Sequence, residues 1–81
     1  MPSKGHDLVR KLVAENDRYP TVELELLKLM EEAGELVQAY LRDGDDLARI
    51  RQEFADVGFV LIALGNKLGL DLGDEIERKF G

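Results

Sequence analysis

The 81-residue chain has no cysteine, no tryptophan, two prolines and a single histidine. Without cysteine it has neither a disulfide staple nor a thiolate metal site. With only His6, near the start, it lacks the Glu-x-x-His pairs of di-iron helical bundles. Positive charge is also scarce. Eleven Lys and Arg stand against 17 Asp and Glu, giving a net charge of −6 and a pI near 4.7. That balance argues against a nucleic-acid module, which presents a basic face. It leaves open an anionic small molecule held through bridging metal ions. No apolar run reaches the ~20 residues a bilayer needs, and the opening "MPSKGHDLVRK" has no signal-peptide core. The expectation is a cytoplasmic chain with no membrane and no nucleic-acid partner.

Residues 1–81 read as one domain, and a small one. A chain near this size buries only ~60% of its unfolded surface, so a second copy is the obvious further source of stability. Nothing alternates with period two. Leu8 with Leu12, and Val9 with Val13, follow the helical period over about Lys4–Asn16. Pro20 interrupts it, and Thr21 caps a second helix over about Val22–Arg42. "RDGDD" is a short turn in which Asp45 or Asp46 caps a third helix, Leu47–Leu68. Gly69 ends that helix and Asp71 caps a fourth, "LGDEIERKF". The fold class expected is all-α: a small antiparallel bundle of about four helices, completed by homo-oligomerisation. The third helix carries "VGFVLIALG", Val57 to Gly65, apolar on every face. A helix apolar all round is buried all round, and a second copy is expected to cover it. Tyr40 and Phe54 read as core residues, Arg42, Arg49 and Arg51 as surface, and His6 as an exposed residue without a role.

The second helix also concentrates like charge in "EEAGEL", Glu31 to Leu36. Glutamates three or four apart repel by roughly 0.2–0.5 kcal/mol per pair. The third helix carries a matching pair, Glu53 and Asp56. Glu35 lies nine residues before Gly44 and Glu53 nine after, while Glu32 and Asp56 each lie twelve away. At 1.5 Å per residue the two pairs stand at equal heights, roughly 13 and 18 Å from the turn. The count sets height and leaves rotation about the helix axes open. Facing carboxylates in a partly dry groove need a counter-charge. Oxygen ligands without His or Cys suit Mg²⁺, Mn²⁺ or Ca²⁺ rather than Zn²⁺, and Mg²⁺ is the first choice. A Ca²⁺ loop at "DGDD" fails, because its sixth and twelfth positions from Asp43 are Ala48 and Phe54. Lys28, one turn before Glu31 and Glu32, relieves their repulsion or reaches a phosphate oxygen.

"KLMEEAGELVQAY" followed by "EFADVGFVLIALGNKLGLDL" resembles the MazG-type nucleoside triphosphate pyrophosphohydrolases, an all-α family marked by EExxE and then ExxD. The similarity runs over about Thr21–Phe80. It implies Mg²⁺ ligands at Glu32, Glu35, Glu53 and Asp56, with Mn²⁺ as a substitute ion. It further implies a supporting role for Glu31, catalytic work for all five acids, and phosphate contacts from Lys28 and, more remotely, Lys79. The implied reaction splits a nucleoside triphosphate between the α and β phosphates, in a homodimer or homotetramer. The runner-up of the same fold is a phosphoribosyl-ATP pyrophosphohydrolase, whose "SYT" approach to the acidic helix is replaced here by "RYPTVELELL". A non-catalytic helical dimer that binds metal or nucleotide is the alternative of another class. The segment before Thr21 is short, and no aromatic wall for a base is expected from it.

Overall fold

The computed structural model describes residues 4–81, with side chains from Asp7 onward, so the side chain of His6 lies outside the described residues. Four helices follow one another: α1 Lys4–Asn16, α2 Val22–Asp43, α3 Leu47–Leu68 and α4 Leu72–Phe80. No strand occurs among the described residues. Local chemistry sets the boundaries. The Thr21 hydroxyl accepts from the Leu24 amide at 3.1 Å, and an Asp46 carboxylate oxygen accepts from the Arg49 amide at the same distance. Asp71 does the same for Asp74 at 3.0 Å. Each cap satisfies a backbone donor that the first helical turn leaves unpaired. At the far end of α3, Gly69 takes φ +73°, a left-handed conformation that glycine adopts without a Cβ penalty, and its amide returns to the Gly65 carbonyl.

The α2–α3 hairpin is the main packing unit, and α1 lies against α3. Ala39 and Ala63, both fully buried, bring small side chains to this interior, where Val60, Leu64 and Val13 of α1 complete the apolar core. The amide of Asn66 donates to the Arg10 carbonyl at 3.1 Å and ties α1 to α3. The apolar run of α3 is only partly covered by its own chain: Val60, Ala63 and Leu64 are buried, and the rest of Val57–Gly65 is half-buried. Tyr40 and Phe54, expected in the core, are 66% and 70% exposed. The buried residues of α2 and α3 are instead Ala39, Val60, Ala63, Leu64 and, unexpectedly, Glu25 and Glu32. No helix of the described residues is long and apolar enough to cross a membrane.

Candidate metal and phosphate site

The buried face of α2 reads Glu25, Glu32, Ala39, a seven-residue spacing that returns to the same side of a helix every two turns. Glu32 is therefore turned into the groove, 6% exposed, while Glu31 and Glu35 flank it in solvent. From α3, half-buried Glu53 and exposed Asp56 meet it. Carboxylate oxygens of Glu32, Glu53 and Asp56 lie within 4.8 Å of one another, and those of Glu31, Glu32 and Glu35 form a second such group. Glu32 belongs to both. The matched heights thus bring acids of both helices together, but the helix rotation makes Glu32 the hinge of the arrangement. Glu35 groups with its own helix and reaches Glu53 only through its charge.

The electrostatics are those of crowded anions. Glu35 is held above the usual carboxylate range, first by the adjacent carboxylate of Glu32 and its charge. Loss of water and the charges of Glu53 and Glu31 add to the shift. Lys28 answers from the same helix: Nζ lies 3.0 Å from Glu32 Oε1 and 3.1 Å from Glu31 Oε1. Those hydrogen bonds, Glu32 first, hold its ammonium above the ordinary lysine value. One cation against five acids leaves the groove net negative.

Two oxygens decide whether a divalent ion fits. Oε2 of Glu32 and Oε2 of Glu53 are buried without a hydrogen-bond partner, and both side chains belong to the cross-helix group. Buried carboxylate oxygens are unfavourable unless something positive or protic satisfies them. A hard cation held by Glu32, Glu53 and Asp56 does so, and an all-oxygen donor set matches Mg²⁺ and its neighbours in hardness.

Beside the carboxylates opens a cavity of about 210 Å³ lined by Tyr19, Lys28, Glu32, Asp56, Phe59 and Val60. It holds two aromatic rings, and Lys28 Nζ lies 5.9 Å from the centroid of Tyr19. Tyr19 comes from the connection before Thr21, so that short segment does supply an aromatic lining residue. Its proximity depends on how the connection folds back, which periodicity does not reveal. Lys79 is not brought here. It is exposed on α4, with Nζ 5.3 Å from the Phe80 centroid, and does not line the cavity. Lys28 is the cation beside the acids.

An all-α hairpin with carboxylates converging from both helices, next to a small cavity with a lysine, has the make-up of an acidic, metal-assisted phosphate-bond hydrolase. The comparison with protein families agrees. The profile of the phosphoribosyl-ATP pyrophosphohydrolase family matches residues 6–80, and the chain belongs to that family. The family lies within the MazG-like all-α nucleoside triphosphate pyrophosphatase superfamily, and no match specific to MazG itself is found. Its members are hydrolases of phosphoanhydride bonds, typically dependent on a divalent metal. No curated protein and no solved structure gives a significant match.

Proposed function

We propose that the chain is a Mg²⁺-dependent nucleotide pyrophosphohydrolase that cleaves between the α and β phosphates, releasing pyrophosphate and a monophosphate. The observation that carries this reading is the group of Glu32, Glu53 and Asp56, with two buried oxygens that lack partners. These three residues and Glu35 would hold the ion. When bound, Mg²⁺ neutralises the charge of the phosphates and of the leaving pyrophosphate; Mn²⁺ serves the same purpose. A carboxylate of the set orients the attacking water and accepts its proton, while water oxygen bonds to the α phosphorus and the α–β bridging bond breaks. Lys28 exchanges part of its pairing with Glu31 and Glu32 for a substrate phosphate oxygen. Glu31 keeps that ammonium in place. No side-chain nucleophile takes part.

The family match favours phosphoribosyl-ATP as substrate. Free nucleoside or deoxynucleoside triphosphates are the second reading, favoured by "RYPTVELELL" in place of the "SYT" approach. A panel of these compounds with Mg²⁺, scored for monophosphate and pyrophosphate by chromatography, separates the two. Orthophosphate as the product would move the broken bond to the β–γ position and defeat the proposal.

We also propose that the working form is a homodimer or homotetramer. Leu27, Met30, Val37 and Leu41 recur at helical spacing on the side of α2 away from Glu25, Glu32 and Ala39, and are 56–75% exposed. A row of exposed apolar side chains on one helix face is what a second copy would cover. Gly34 of α2 and Gly58 of α3 have open space where a Cβ would stand, room for the close approach of a second copy. Sedimentation velocity at micromolar concentration tests this, and a stable monomer would refute it.

A further inference from the structure

A second cluster of charge, apart from the acidic groove, has no part in the chemistry above. Glu25 is completely buried at the start of α2. Lys67, half-buried near the end of α3, donates from Nζ to Glu25 Oε1 at 2.8 Å and also to Asp17 Oδ2. Asp17 stands in the connection between α1 and α2, and its other oxygen accepts from the amide of Tyr19 at 3.1 Å. Stability alone is a poor account of such a cluster. Desolvating charges is unfavourable, and well-packed apolar residues often replace a buried ion pair without loss. Burial works against the ammonium of Lys67, but the hydrogen bonds to Asp17 and Glu25 outweigh it and hold the group charged.

Geometrically, the cluster fastens a connection. Lys67 anchors to α2 through Glu25 and reaches the connecting segment through Asp17. Two residues on, Tyr19 lines the cavity with Lys28, Glu32, Asp56 and Phe59. Without the Lys67–Asp17 contact, little else bonds this segment: among the described hydrogen bonds, the Asp17–Tyr19 turn is its own local one. We propose that Lys67, Asp17 and Glu25 are positioning residues that fix Tyr19 as a wall of the substrate cavity, against which the nucleoside part of the substrate lies. This rests on the nucleotide pyrophosphohydrolase reading.

The test uses the full chain with Mg²⁺ and the α,β-methylene analogues of phosphoribosyl-ATP and of the nucleoside triphosphates, which resist cleavage at the α–β position. Lys67→Met, Tyr19→Ala and the double variant are compared by calorimetric titration. Amide exchange at Tyr19 is followed in the parent, in Lys67→Met and in Lys67→Arg. Each single change is expected to weaken binding about 10-fold, the order of one aromatic stacking contact. The double variant should bind no worse than either single, since Lys67 acts through Tyr19. Exchange at Tyr19 should rise at least about 10-fold in Lys67→Met while Val60 stays protected, and Lys67→Arg should restore both readouts. If Lys67→Met does not fold, Asp17→Ala cuts the same link from the connection. Multiplying losses in the double variant, or unchanged exchange at Tyr19, would overturn the proposal, as would a parent that binds none of the analogues. A parent that binds them through Tyr19 but releases no pyrophosphate from the hydrolysable nucleotides would refute the hydrolase reading alone.

Discussion

Glu32→Gln separates a metal site from a solvated acidic face more sharply than any other change, because Glu32 alone belongs to both carboxylate groups. In the metal-free protein the substitution has two opposing effects. It removes the partner that lies 3.0 Å from Lys28, and it relieves repulsion with Glu35, Glu53 and Asp56. Gln keeps the shape and a hydrogen-bonding end. The effects offset, so the net change should stay below about 1 kcal/mol, or no more than about 4–8 °C in Tm for a domain of this size. Mg²⁺ breaks the balance. At a hundred times its Kd it stabilises the parent by about 2.7 kcal/mol, on the order of 10–20 °C. Losing even an outer partner of a metal weakens binding 10–100-fold; losing a ligand should reach at least the upper figure. At the same Mg²⁺ concentration the variant is then near half-saturation, and its stabilisation falls to ~0.4 kcal/mol, roughly 2–3 °C. Hydrolysis should fall by ~10²–10³ or more, the usual result of removing one preorganised charge-stabilising group. Circular-dichroism melts with and without Mg²⁺, beside a pyrophosphate assay, make the measurement. Equal Mg²⁺ shifts in both proteins with retained hydrolysis would reduce the acidic groove to an ordinary charged surface.

Three further outcomes are expected. Gly65→Ala should destabilise the fold by ~1–3 kcal/mol, seen in thermal melts, because the new Cβ would lie 2.7 Å from the Leu70 backbone carbonyl oxygen, which cannot swing aside like a flexible side chain. Gly58→Ala meets nothing within 4 Å in one chain and should gain ~0.5–1 kcal/mol of helix stability; if a second copy seats there, sedimentation will instead report weakened association. The third concerns acid. Asp17 is held below its ordinary 3.8: burial acts upward, but the adjacent Glu25 side chain and the hydrogen bonds from Lys67 and the Tyr19 amide act downward more strongly. Its contribution is therefore present above pH 3.8 and lost as pH falls through the lower folded value. Urea melts below pH 3.8 should show the parent losing more stability than Asp17→Asn, and parallel losses would refute this account.

The helix limits were legible because they are decided within a few residues. Thr21, Asp71 and Gly69 act as the sequence pattern predicts, and of the two candidate caps in "RDGDD" it is Asp46 that accepts from Arg49. Longer-range packing was less legible. Tyr40 and Phe54 carry the apolar character of core residues, yet the α2–α3 contact closes on Ala39 and Ala63, and the aromatic rings are left outside it. Hydropathy reports that a side chain seeks cover without saying whether its own chain provides it.

The site divides along the same line. Counting from the turn sets the heights of Glu32, Glu35, Glu53 and Asp56, since rise per residue is fixed, and in the structure Glu32 meets Glu53 and Asp56. Rotation is not, and it decides that Glu32 enters the groove while Glu35 remains on its outer side. The same rotation hides Glu25. In the sequence it is one more glutamate in the first turn of α2, where negative charge suits the helix dipole and is usually solvated. Yet Glu25, Glu32 and Ala39 share one face, so any arrangement that buries Ala39 against α3 carries both glutamates inward. Each then requires a cation. Glu25 Oε1 receives Lys67 from α3, which also serves Asp17, and its Oε2 has no partner. Glu32 receives only Lys28 for two oxygens, one of which has no partner, and the acids facing it across the groove raise the demand. Two glutamates seven residues apart on one buried face thus each hold one lysine through Oε1 and leave Oε2 without a partner, and their surroundings separate them. Glu25 shares its lysine with the single acid Asp17, a set suited to positioning, whereas Glu32 faces Glu53 and Asp56 across the groove, a set with the make-up of a metal site.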